Sequence, residues 1–183
     1  MDFLTPIKAL VPDYAKDVRL NLDGAIARSS LPAREAVGVA LAAAFAARSP
    51  VIVEAIRASG ALEPVDENAA LAAAALMGMN NVWYPYVEMA GDPELASQRA
   101  ELRMNVYANH GGTDRRAFEM WALAASIVGK CEFCVGSHYK LLKESGATAQ
   151  QLRDVGRIAA VVNAAAQVIA VAPAGVPALA QAA

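Results

Sequence analysis

Two cysteines and a histidine carry the most specific chemical signal in the chain: Cys131-Glu132-Phe133-Cys134, with His138 four residues further on. On a helix that turns ~100° per residue, positions 131, 134 and 138 fall within an arc of about 60°. Both thiols can therefore meet, and the imidazole lies one turn beyond Cys134. A dithiol at i, i+3 near a helix start is the geometry of redox CxxC sites, because the helix N-terminus favours the thiolate. Lys130, just before the pair, adds positive charge. Two other readings stay open. Cys131, Cys134, His138 and one carboxylate would make the four-ligand zinc set of a zinc-stabilised binding module, or the dithiol would serve a redox-sensing module without peroxidase turnover. Alternatively, the two cysteines are buried and inert on an apolar helix face. A purely structural disulfide across so short a loop would remove little unfolded-state entropy.

Glu119 is the next candidate. It lies within Ala117-Phe118-Glu119-Met120-Trp121-Ala122-Leu123, and a carboxylate on such a face must be paired or protonated. A single break at Gly129-Lys130 separates its helix from the CxxC helix. The two are expected to pack as a hairpin, which would let Glu119 reach and orient His138. His110, in Asn109-His110-Gly111-Gly112-Thr113, reads as a solvated turn residue; Glu132 reads as solvated, and Trp83, Tyr84 and Tyr86 as packing residues.

The elements that must hold these groups are helical. Of 183 residues, 56% are hydrophobic and 19% charged, with a net charge of −2. That composition excludes a disordered chain and offers no basic excess for phosphates, so no nucleic-acid partner is expected. Much of the apolar surplus is alanine, the best helix former, and alternating strand signals are nearly absent. The expectation is a compact all-α fold with the CxxC at a helix N-terminus. Residues 1–173 read as a single helical domain and 174–183 as a frayed tail.

The helix punctuation is legible throughout. Pro6–Leu10 and Tyr14–Leu22 read as short helices. Ser30 is expected to cap a helix running to about Ala47, and Ser49-Pro50 to open one ending near Ser59-Gly60. Asp66 is expected to cap a helix that breaks at Met77-Gly78, with a second piece at Asn80–Ala90 that Pro85 can kink. Asp92-Pro93 should open a helix ending near Asn105. Thr113 is expected to cap Asp114–Val128, with Gly129 as its C-terminal turn residue. A further helix should run from Cys131 to Ser145-Gly146, and Thr148 and Gln151 form a capping-box pattern before a last helix to about Ala172. The two helix–break–helix units, Asp66–Ala90 and Asp114–Lys143, hint at internal duplication. Ala36–Ala47 and Ile158–Ala172 fall short of the ~20 apolar residues of a membrane span. The N-terminus lacks the pattern of a signal peptide, so a cytoplasmic protein without membrane association is expected.

Glu119, eleven residues, Cys131-x-x-Cys134, three residues and His138 together resemble the signature of the alkylhydroperoxidase D (AhpD) family, in the carboxymuconolactone-decarboxylase-like superfamily. Leu76-Met77-Gly78-Met79-Asn80-Asn81-Val82, Leu102-Arg103-Met104-Asn105 and Val11-Pro12-Asp13-Tyr14-Ala15-Lys16-Asp17 are similar to further family blocks. The resemblance implies an all-helical homo-oligomer, typically a homotrimer. It implies an antioxidant dithiol oxidoreductase that reduces organic hydroperoxides and the disulfide of an AhpC-type peroxiredoxin. Electrons would come from dihydrolipoamide borne on a lipoyl-bearing acyltransferase, with no bound cofactor or metal. By position, Cys134 would be the sulfenic-acid and mixed-disulfide cysteine, Cys131 the proton donor and resolving thiol, and Glu119 with His138 the proton relay. Some members carry a histidine directly before the second cysteine, where this chain has Phe133. The helix dipole alone favours Cys131 as the thiolate. His138, at i+4 from Cys134, is a base of shorter range and favours Cys134.

Overall fold

The computed structural model describes residues 1–172, so the expectation of a frayed tail at 174–183 lies outside the described residues. Among the described residues the secondary structure is helical, without strands. Two short helices open the chain, α1 (Leu4–Ala9) and α2 (Lys16–Leu22). They lead to α3 (Ala33–Ala46), α4 (Pro50–Ala58) and α5 (Pro64–Ala90). Two brief helices follow, α6 (Pro93–Ser97) and α7 (Val106–Asn109). The chain continues through α8 (Arg115–Gly129), α9 (Glu132–Glu144) and α10 (Ala149–Val171).

The centre is built from α3, α5, α8 and α10, packed on one another. Alanines at positions 36, 40 and 42–44 of α3 and 69, 70, 73 and 74 of α5 are wholly buried. Small side chains let the backbones approach closely. Gly38 takes this to its limit, because a methyl group there would overlap the Trp121 indole. The indole Nε1–H donates to the Glu35 carbonyl at 3.4 Å. α10 is long and apolar enough to cross a membrane by length and composition. Its Leu152, Val155, Ile158 and Val162 are instead buried in the core.

Several expected boundaries move, each for a visible reason. α5 runs unbroken through Gly78 and Pro85, so the first of the two supposedly duplicated units has no break. Its N-cap is Glu63, not Asp66. Asp66 instead accepts two hydrogen bonds from Arg34, both 2.6 Å, and one from the Thr113 hydroxyl at 2.7 Å. Thr113 is thereby taken from the cap of α8, and Asp114 fills that place by accepting from the Ala117 N–H at 2.9 Å. Ser30 does not cap α3, since its N–H and hydroxyl both donate to the buried Asp154 carboxylate at 2.8 Å. The helix opened by Asp92-Pro93 stops at Ser97, where Gln98 turns extended. The expected caps at Ser49 and at Thr148 with Gln151 are present.

Candidate active site

The α8–α9 turn places the sulfurs. Lys130, at φ 56°, makes the left-handed turn that the sequence had suggested for Gly129. Gly129 is needed for space instead: a side chain there would collide with Asn81 of α5, whose amide donates to the Ala125 carbonyl at 3.0 Å. Cys131 is the N-cap of α9, and its Sγ accepts from the Cys134 N–H at 3.2 Å. The two cysteines form a disulfide with a Cα–Cα separation of 5.3 Å. Cys131 is 0% exposed and packs toward the Asn80 carbonyl; Cys134 is 3% exposed.

Behind the sulfurs, α8 and α9 bring Glu119 and His138 together. Glu119 Oε2 lies 2.6 Å from His138 Nδ1, and both side chains are almost fully buried. A carboxylate partner fixes an imidazole's orientation and holds a proton on the facing nitrogen. The Tyr107 hydroxyl lies 3.3 Å from the same Nδ1, and its ring lies 20° from parallel with the imidazole. Burial, and then the negative charge and hydrogen bond of Glu119, push the Tyr107 phenol above its ordinary value. It therefore stays neutral beside the pair. On the other side, His138 Nε2 faces the sulfur of Met77 at 3.2 Å. Glu119 Oε1 has no hydrogen-bond partner and lies 4.0 Å from the Arg115 guanidinium.

These groups open into a pocket of about 240 Å³ whose walls include Asn80, Tyr84, Met104, Tyr107, Phe133 and Ser137. Cys134 and His138 line it and Cys131 does not. Of the two disulfide sulfurs, that of Cys134 thus fronts the pocket, which His138 also lines. Among the described residues no cluster of three or more His, Cys, Asp or Glu side chains is arranged to hold a metal ion. The imidazole is turned to Glu119, and the sulfurs are bonded to each other.

All four residues singled out in the sequence meet at this one place. His110 does not join them and is not a freely solvated turn residue, because its ring packs edge-on against Phe118 at 5.7 Å. Glu132 is exposed as expected. Tyr84 is more than a packing residue, since its ring stacks on Phe133 at 4.2 Å over the pocket. Sequence reasoning gave no role to Tyr107, Met77 or Asn80. Met77 and Asn80 could have been paired with the site by their i, i+3 spacing and by the cost of burying an amide in an apolar helix. Tyr107 sits in a four-residue helix, and nothing in its spacing marks it.

Fold and site together define an all-helical dithiol protein whose CxxC is backed by a buried carboxylate–imidazole pair. The Carboxymuconolactone decarboxylase family profile matches residues 93–177. The chain is 43% identical over 165 residues to the Alkyl hydroperoxide reductase AhpD of Rhodospirillum centenum, covering 89% of this chain and 88% of that protein. It is 43% identical over 163 residues to the protein of the same name from Streptomyces avermitilis, covering 88% and 92%. A Bradyrhizobium namesake is 40% identical over 173 residues, covering 93% and 95%. The chain belongs to the AhpD family.

Proposed function

We propose that the protein is an antioxidant dithiol peroxidase that reduces alkyl hydroperoxides and the disulfide of an AhpC-type peroxiredoxin. The observation that carries this reading is the asymmetry of the sulfurs: Cys134 fronts the pocket beside His138, while Cys131 is sealed behind it. In the reduced protein, His138 takes the Cys134 proton and Glu119 holds the imidazole in place. The thiolate attacks the distal peroxide oxygen. The O–O bond breaks, an alcohol leaves with a proton from the relay, and Cys134 becomes a sulfenic acid. Cys131 then attacks the Cys134 sulfur, water departs, and the Cys131–Cys134 disulfide forms. With a peroxiredoxin disulfide, Cys134 attacks one sulfur, and Cys131 resolves the mixed disulfide. A dihydrolipoyl group on an acyltransferase returns two electrons and two protons. No bound cofactor takes part. Cys131 is the resolving thiol and proton donor because only its neighbour meets the incoming substrate.

Cytoplasmic placement suits a site that must be re-reduced after each turnover. Self-association is supported by exposed apolar side chains along the second half of α5, and the homotrimer is the form that the family resemblance implies. The test is a reconstituted assay holding dihydrolipoamide, this protein, organic hydroperoxide and candidate AhpC-type peroxiredoxins. Peroxide loss that needs this chain supports the reading. No turnover with any peroxiredoxin, and none without, overturns it.

A further inference from the structure

Outside the reactive pocket lies a second, larger cavity of about 1160 Å³ between the end of α5, α6 and the extended stretch at 98–104. The two share three walls, Tyr84, Met104 and Phe133. Phe133 is 55% exposed and stacks on Tyr84 with ring centroids 4.2 Å apart. A group moving from the outer cavity to Cys134 must pass these side chains. The rim of the outer cavity is unbalanced in charge. Glu88, Asp92, Glu101 and Glu132 stand around it with Arg99 as the single cation.

We propose that the outer cavity seats the uncharged alkyl arm of the dithiol reductant, and that its acidic rim selects arms joined through a neutral amide over those ending in a free carboxylate. This rests on the function proposed above. Three observations carry it. Cys134 is recessed, and Tyr84 and Phe133 stand between its pocket and the outer cavity, so a dithiol on a narrow arm lying in that cavity can reach it. The outer cavity is continuous with the sulfur's pocket through shared walls and has the size of an organic-ligand site. Its apolar part, with Trp83, Val87 and Leu102, suits methylenes, and its rim repels anions. The small inner pocket accommodates a hydroperoxide without the outer cavity, so the reductant is the occupant that needs the longer path.

The step balances within the arm and the disulfide. One arm thiolate attacks Cys134 Sγ, the Cys131–Cys134 bond breaks, and the electron pair and a proton go to Cys131. The second arm thiol attacks its own neighbour's mixed disulfide and releases Cys134 as thiol. The arm ends as a cyclic disulfide, having lost two electrons and two protons.

The test compares dihydrolipoamide with dihydrolipoate, which carry the same dithiol and differ only in an amide against a carboxylate at the end of the alkyl chain. The readout is the rate at which each reduces the disulfide of the full-length protein. Neutral hydroxyethyl disulfide serves as the reference for intrinsic thiol reactivity. After that correction the amide should react about fivefold faster at low ionic strength, and the ratio should approach one at ~0.5 M salt, as expected of screened, exposed charges. The double variant Glu88→Gln/Glu101→Gln should raise the carboxylate's rate relative to the amide's, so that the corrected ratio falls toward one. Equal corrected rates at low salt would overturn the assignment, as would a ratio indifferent to the glutamine variants. Failure of both dithiols to reduce the protein would overturn the functional reading instead, and this one with it.

Discussion

At the scale of single residues, the two sulfurs occupy unlike places, and their variants should separate accordingly. Cys134→Ser is expected to abolish peroxide reduction and partner reduction, because no other cysteine lines the pocket. Cys131→Ser leaves an attacking thiol without a resolving one. It should accumulate a mixed disulfide with an oxidised peroxiredoxin, visible on a non-reducing gel or by mass spectrometry. Trapping by Cys134→Ser in place of Cys131→Ser would reverse the assignment and favour the N-cap sulfur, which accepts the Cys134 N–H. The 2.6 Å bond between Glu119 and His138 makes them one unit. Glu119→Gln and His138→Ala should each slow turnover, and the double variant should cost little more than the worse single change. Rate losses that multiply would mean the pair does not act together. The Tyr107 hydroxyl lies 3.3 Å from Nδ1, beside the Glu119 contact, so Tyr107→Phe removes a buried polar neighbour of the pair and should lower kcat by about two- to tenfold.

At the scale of helices, close approach and buried carboxylates set the stability. Gly38→Ala should cost about 1–3 kcal/mol by thermal or urea unfolding, since a methyl group must displace the Trp121 indole from a packed core. The pH dependence follows from three aspartates. The Arg34 guanidinium and the Thr113 hydroxyl hold Asp66 below the usual carboxylate range. Burial pulls Asp114 and Asp154 upward. At Asp114 the Ala117 N–H and Arg34 outweigh it, and at Asp154 the Ser30 N–H and hydroxyl, Arg157 and Arg153 outweigh it more strongly. All three native carboxyls are depressed, so their stabilisation is complete above the unfolded value of about 3.9 and is lost as pH falls below it. The melting temperature should be flat from about pH 5 to 8 and drop steeply below about pH 4. Asp154→Asn should make that drop shallower. The same aspartates show what the sequence revealed and what it hid. Helix identity and the α8–α9 hairpin were legible from alanine content, Gly129-Lys130 and the cysteine spacing. Asp66, Thr113 and Ser30 look like caps locally, yet partners 32 to 124 residues away claim them. Local spacing cannot weigh a competitor that only the fold brings near. For the same reason Glu119, Cys131, Cys134 and His138 stood out, while the tyrosine and methionine flanking the imidazole did not.

At the scale of the molecule, α5 does two jobs. One face of its first half is buried in the core; its second half exposes Met79, Val82, Tyr86 and Met89, spaced three, seven and ten residues from the first along one face. An exposed apolar stripe marks an interaction surface, and self-association through a partner helix is the arrangement to test. Light scattering at micromolar concentration should report an oligomer, and Val82→Glu/Met89→Glu should shift it toward monomer with the helical circular dichroism intact. A monomeric parent protein would remove this account of the stripe. The same helix supplies Asn80 and Tyr84 to the reactive pocket and Met77 to the imidazole, yet it ends before residue 93, where the family profile begins to match. The reactive groups of the signature are close in the chain, while the room around them is borrowed from elsewhere. A gene fragment encoding 93–177 would keep both sulfurs, the carboxylate and the imidazole, and would lose the methionine beside the ring and one wall of the pocket. Transplanting Glu119, Cys131, Cys134 and His138 into another helical scaffold would meet the same deficit. The recipient would inherit a titratable dithiol and would still have to evolve the chamber that decides what reaches it.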